Sequence, residues 1–277
     1  LHRIGDAMTR FDDIKNRVYE MIGQSSDNNN FSGTSALELA IKDAYRYICR
    51  SYRFKWLYKE DATKKLVYTS MASASTGTIL NATSNANMYI GQKLAIILGG
   101  LVEEVEIASI TPTLTLKSPG MDYNWAAGSE IAGYTAQLPA DFWQIEAVTL
   151  KNTSTLDYYS LTPLDGKSYK DKRDYTGTPS HYWVTAGQLF FNRAPDYPYR
   201  LCLKYYMTPA DISTSVDPLF NQAYDPVLAY KAAEIFFSRN RELETNIQNS
   251  EKYRALFEDG IMKMIADDID EGIENED

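Results

Sequence analysis

Thirty-seven carboxylates, two histidines and two cysteines are what this 277-residue chain offers to a catalytic or metal centre. His2 sits near one end and His181 lies in "PSHYWV", so no His-x-x-x-His pair or His/Cys ligand set can be assembled. His181, beside Tyr182 and Trp183, is expected as a half-buried strand residue rather than a general base. Cys49 ("AYRYICRSY") and Cys202 ("RLCLKYY") each fall in an apolar periodic segment, where a free thiol acts as a small core residue. The glycine signatures of phosphate loops, dinucleotide sites and nucleophile elbows do not occur. "DDIDEG" has its glycine misplaced for a calcium loop and lacks the bidentate Glu, so it reads as part of a solvated acidic tail. Glu103 and Glu104 are strand neighbours that point to opposite sides, and both are expected at the surface. No catalytic residue, cofactor or metal is expected, and the protein is read as not an enzyme.

The elements that would position any site fall into four stretches. Residues 1–70 carry two amphipathic helices: Phe11, Ile14 and Val18 share one face behind a Thr9/Asp12 cap, and Leu37, Ile41, Ala44, Tyr45, Ile48 and Tyr52 form a second stripe. Residues 71–133 change to short β-prone runs broken by Gly, Asn and Pro, with Val105, Ile107, Ile110, Leu114 and Leu116 alternating with polar positions. That pattern predicts an inserted, semi-independent β module. Residues 134–212 read as a longer β layer in which the strands of "GTPSHYWVTAGQLFFNRAPDYPYRLCLKYYMTP" pair, Gly187 relieving a first turn and Pro195 with Pro198 fixing a second. Residues 213–277 return to helix, opened by Asp225-Pro226, and pack with residues 1–70 before an acidic end. The expected class is α+β: a helical bundle from both chain ends, projecting antiparallel β layers and the small inserted β module.

Composition narrows the function. At 44% apolar and 23% charged the chain is globular, and "KLAIILGGLV" is far short of the roughly 20 apolar residues a bilayer span needs. Net charge is −9, of which seven charges sit in "ADDIDEGIENED", so sequence-reading DNA binding is not expected. The basic run Lys167 to Tyr175 reads as a solvated loop able to touch phosphates or an acidic partner. Tyrosine is abundant, with 21 copies, and suits protein interfaces because it gives large contact area at small entropy cost.

The order of punctuation carries a family resemblance. Leu138, Pro139, Asp141 and Phe142, then Gly177, Pro179 and Tyr182, then Ala194, Pro195 and Asp196, then Tyr205 and Tyr206, then Tyr230, Ala232 and Ala233 follow one another. This series resembles the head-to-tail adaptor proteins of tailed bacteriophages, also called head-completion or tail tubular A-like proteins. The resemblance implies a virion protein of the neck or tail, present in host cytoplasm during assembly, that forms a homo-oligomeric, dodecameric ring. Its implied partners are the portal protein, tail or nozzle proteins, and genomic DNA passing through the lumen without sequence-specific binding; no membrane is involved. It also implies that the segment from about Glu244 engages the portal; there Tyr253, Leu256, Phe257, Ile261 and Met264 have the spacing of groove-filling anchors, and a helix packed within its own subunit is the alternative. Tyr169, Tyr175, Tyr182 and Tyr197 are the expected contacts to the tail or a neighbour. Another neck or tail-tube ring, and a carbohydrate-binding tail accessory using Trp125, Trp143 and Trp183 as platforms, are the competing readings.

Overall fold

A computed structural model of the chain describes residues 9–23, 34–164, 176–239 and 244–273. The chain divides into two units, one from both ends of the sequence (Leu1–Tyr58 with Met207–Asp277) and one from its middle (Lys59–Tyr206).

The first unit holds the helices α1 (Arg10–Met21), α2 (Thr34–Ser51), α3 (Asp225–Arg239) and α4 (Glu244–Ile273). At the start of α1 the Thr9 hydroxyl accepts from the Asp12 N–H at 3.3 Å and donates to the Asp12 carboxylate at 2.7 Å, which satisfies a free helix donor. α3 packs against all three other helices. Its Leu228, Ala229, Ala232 and Ala233 are fully buried, and the small alanines let neighbouring backbones come close. Leu37, Ile41 and Ile48 of α2 are likewise buried, each contributing about 1.5–3 kcal/mol of transfer free energy. Gly260 of α4 is required by this packing: a Cβ there would meet Val227 Cγ2 at 2.8 Å. A string of rings, Tyr52, Phe54, Trp56, Phe220 and Tyr45, runs through the unit with successive centroids 5.1–5.9 Å apart.

The middle unit is β. In chain order its strands are β1 (Tyr58–Asp61), β2 (Tyr68–Ser70), β3 (Ser75–Gly77), β4 (Lys93–Leu98), β5 (Leu101–Ser109), β6 (Thr115–Leu116), β7 (Met121–Trp125) and β8 (Glu130–Gly133). There follow β9 (Thr135–Gln137), β10 (Phe142–Asn152), β11 (Tyr158–Ser160), β12 (Thr162–Pro163), β13 (His181–Thr185), β14 (Gln188–Phe191) and β15 (Tyr199–Met207). They form sheets ordered β1-β15-β10-β11, β12-β13-β14-β9 and β2-β8-β4-β5-β6, with β3 and β7 paired separately. The chain is thus mixed α+β, with four helices and largely antiparallel sheets among the described residues.

The stretch that alternates in sequence has its own core, in which Leu94, Ile96, Val105, Ile107, Leu116, Trp125 and Ile131 pack together. Its sheet is covered on the other face too. Ala95 and Ala132 lie with Tyr134 against Trp183, Phe190 and Ala194, so β4 buries consecutive residues on both sides.

Two expectations are corrected. Glu103 is not on the surface: it shares the inward phase of Val105 and Ile107, is 8% exposed, and its carboxylate accepts from the Trp125 indole N–H and the Asp122 backbone N–H. In the Tyr-rich stretch the first turn pairs its strands as expected, but the strands on either side of Pro195 and Pro198 do not pair. β13 and β14 pair across Ala186-Gly187, whose φ values of 49° and 74° give the turn handedness that matches strand twist. Past Pro195 and Pro198 the chain leaves that sheet, and β15 joins β1 and β10. Proline has no N–H to give to a ladder, so this segment redirects the chain instead of closing a pair.

Candidate functional site

The punctuation residues form hydrogen-bonded joints. At the start of β10 the Asp141 carboxylate accepts from Lys59 Nζ at 2.7 Å and from the Tyr205 hydroxyl at 3.0 Å, while the Phe142 ring lies 6.1 Å from that of Tyr205. Burial opposes the charge on Asp141, but the bonds from Lys59 and Tyr205 outweigh it and hold the carboxyl below its usual range. The same burial, with the carboxylate beside it, pushes the Tyr205 hydroxyl up to about 12. One side chain therefore ties β1, β10 and β15 together.

A second joint lies at the proline turn. The Tyr199 hydroxyl donates to Asp196 at 2.8 Å and lies 2.9 Å from the Thr178 hydroxyl. Gly177, at φ 148°, gives its N–H to the Ala194 carbonyl at 3.0 Å. In the helical unit Tyr230 stacks on Tyr253 with centroids 6.4 Å apart, and Ala232 and Ala233 are fully buried.

Reactive side chains are few. The Ser180 hydroxyl lies 2.8 Å from His181 Nδ1, but it also accepts from Asn192 Nδ2 at 3.2 Å, and Asn192 Oδ1 accepts the N–H groups of both residues. That arrangement fixes the start of β13. Both cysteines are free; burial pushes the Cys49 thiol up to about 12 and raises that of Cys202. Among the described residues no group of three His, Cys, Asp or Glu is placed to hold a metal ion, and no helix is long and apolar enough to cross a membrane.

These joints, Lys59 apart, lie within a stretch that a family model, the SU10 adaptor protein, matches from residue 103 to 274. The chain belongs to the SU10 adaptor protein family. No curated protein matches it. It is a bacteriophage structural adaptor, a component of the virion that works with other virion proteins. The matched stretch takes in parts of both units, from β5 to the last turns of α4.

The adaptor's expected contact residues are placed unequally. Tyr253, Phe257, Ile261 and Met264 are buried at 2–7% exposure on the inner side of α4, so these four are spent within their own bundle; the Tyr253 hydroxyl donates to the Met21 carbonyl at 2.9 Å. Leu256 is exposed. Tyr182 is buried, Tyr197 is half exposed at 50%, and Tyr169 and Tyr175 lie outside the described residues. The acidic end is partly engaged: Asp267 accepts from the Tyr224 hydroxyl, and Asp268 accepts the Lys55 N–H at 3.0 Å. Trp125 and Trp183 are buried and cannot serve as sugar platforms. Sequence reading overlooked one cluster in α3, although a Lys and a Glu three apart amid apolar residues is a visible signal. The buried Lys231 donates to Glu234 at 2.7 Å and lies 3.9 Å from the Tyr47 ring centre, and Arg254 reaches Glu234 at 3.3 Å.

Proposed function

We propose that this adaptor is the head-to-tail kind: copies of the chain form a dodecameric ring between portal and tail and continue the channel through which DNA leaves the head. The observation that carries the reading is the family match, which runs through the joints of Asp141, Asp196 and Tyr230, motif residues that fix chain direction and helix packing. A net charge of −9 favours passage of DNA over adhesion, since like charge repels the phosphates. Portal contact falls to the outer side of α4 at Leu256, which shares a helical side with Lys252 and Lys263. Tail contact falls to the exposed Tyr197. The test is to mix the purified chain with the portal protein of its phage and follow mass by sedimentation. The proposal expects a stoichiometric complex of portal and adaptor rings, weakened by Leu256→Asp. A chain that leaves portal sedimentation unchanged at micromolar concentration refutes it.

A further inference from the structure

The charge of the helical unit is sorted by helix. Residues Lys42 to Arg53, on and just past the second half of α2, carry four bases and one acid, whereas α4 carries eight acids and three bases. In a chain of net charge −9 the α2 stretch is a local reversal of sign. Its bases lie off the buried side of α2, which is taken by Leu37, Ile41, Ala44, Ile48 and Cys49; Lys42 and Arg46 are half-buried. Arg46 is held by Asp211 at 2.8 Å and by Asp43 at 3.2 Å. Lys42, Arg50 and Arg53 have no ion-pair partner among the described residues, and Arg50 and Arg53 are exposed.

A second exposed side of α4, well round the helix from Leu256, is the complement. Glu244, Glu251 and Glu258 are exposed, unpaired among the described residues, and seven apart, which sets them in one row with about 10 Å between neighbours. Lys42 to Arg50 spans about 12 Å on α2. Apolar residues extend both rows. Leu39 is 46% exposed one turn before Lys42; Met262 and Ile269, one and three turns after Glu258, are 65% and 56% exposed. Laid antiparallel, the two rows bring bases to acids and Leu39 toward Met262 and Ile269. Exposed apolar side chains in line with unpaired charge mark a surface that gains from being covered.

We infer that the basic row of α2 docks on the acidic row of α4 of a second copy of this chain. The inference rests on the ring reading and names its interface. One copy offers both rows, so the contact is head-to-tail and repeats from subunit to subunit, the arrangement that closes into a ring. Duplex DNA is the weaker occupant of α2. Asp43 and Asp211 stand among its bases, and like charge beside them opposes phosphates.

The test uses the full chain and sedimentation velocity in low salt, with circular dichroism to confirm folding. Three variants are compared with the parent: Arg50→Glu with Arg53→Glu, Glu251→Lys with Glu258→Lys, and all four changes together. Each pair alone is expected to weaken self-association by about 100-fold or more, because like charges then face each other, and the fourfold variant restores it. Raising salt from 50 mM to 500 mM also weakens the parent assembly. A parent that associates equally well with either reversed pair refutes the interface and leaves the ring reading standing. A parent that stays monomeric alone and on the portal refutes both. Anisotropy of a labelled 30-base-pair duplex supplies the other arm: DNA binding lost in Arg50→Glu/Arg53→Glu, with self-association intact, assigns the row to nucleic acid and overturns the inference.

Discussion

Arg10→Ala is expected to be among the most damaging single changes available in the helical unit. The guanidinium bonds the Asp225 carboxylate through Nη2 at 2.6 Å and Nε at 3.0 Å, and donates to the Pro218 and Phe220 carbonyls at 3.0 and 2.9 Å. It also lies 5.5 Å from the Phe220 ring centre. Asp225 is 3% exposed, so removing its partner leaves a buried carboxylate without its counter-charge. Breaking a buried pair from one side costs about 3–5 kcal/mol, and at about 2–4 °C per kcal/mol the melting temperature falls by roughly 6–20 °C. The comparison is Lys263→Ala, which removes an exposed pair with Asp259 and is expected to leave the unfolding midpoint nearly unchanged. Urea unfolding of both variants, followed by helical dichroism, measures the difference. Adding Asp225→Asn to Arg10→Ala recovers part of the loss, since no unpaired charge is then buried. An Arg10→Ala cost below about 1 kcal/mol, or a double-mutant cycle with no coupling, refutes the reasoning.

Gly260→Ala places a methyl against Val227 and is expected to cost about 1–3 kcal/mol in urea unfolding, relieved by adding Val227→Ala. Ala186→Asn, at φ 49° in the β13–β14 turn, is expected to stabilise by about 0.5–1 kcal/mol, because Asn accepts that conformation more readily. Asp12, Asp141 and Asp211 are all held below the usual carboxylate range. The stability they contribute is therefore in place above about pH 4 and is lost as pH falls through their folded values; Asp141→Asn should flatten that part of an acid titration. Cys49, with its thiol raised to about 12, is expected to stay unlabelled by a thiol reagent at pH 8 until the chain unfolds.

Helix positions and inward faces were legible in the sequence because they depend on local periodicity. Phe11, Ile14 and Val18 turn inward where their spacing puts them, as do Leu37, Ile41 and Ile48. The Glu103 misreading shows the cost of leaving that rule: the alternation that buries Val105 and Ile107 buries Glu103 too, and Trp125, distant in sequence, supplies the donor that permits it. Strand partnership was less legible. Nothing in the local pattern of β14 and β15 separates their sheets, because pairing is settled by residues far along the chain, such as Ala136 opposite Leu189. The groove-filling anchors expected on α4 rest on apolar spacing. Spacing identifies an apolar face without saying what covers it, and here α3 and the end of α1 take Tyr253, while α2 and the Lys231 ammonium take Phe257.

The central claim is that the chain stands as a ring between portal and tail, and direct imaging of virions tests it most plainly. Particles carrying a small affinity tag on this chain, labelled with a tag-binding antibody fragment, are averaged about the head-to-tail axis. The account predicts a single ring of label at the head-to-tail junction, and DNA-filled heads without tails when the protein is withheld. Label distributed along the tail or over the capsid surface, or tailed infectious particles made without the chain, would contradict it.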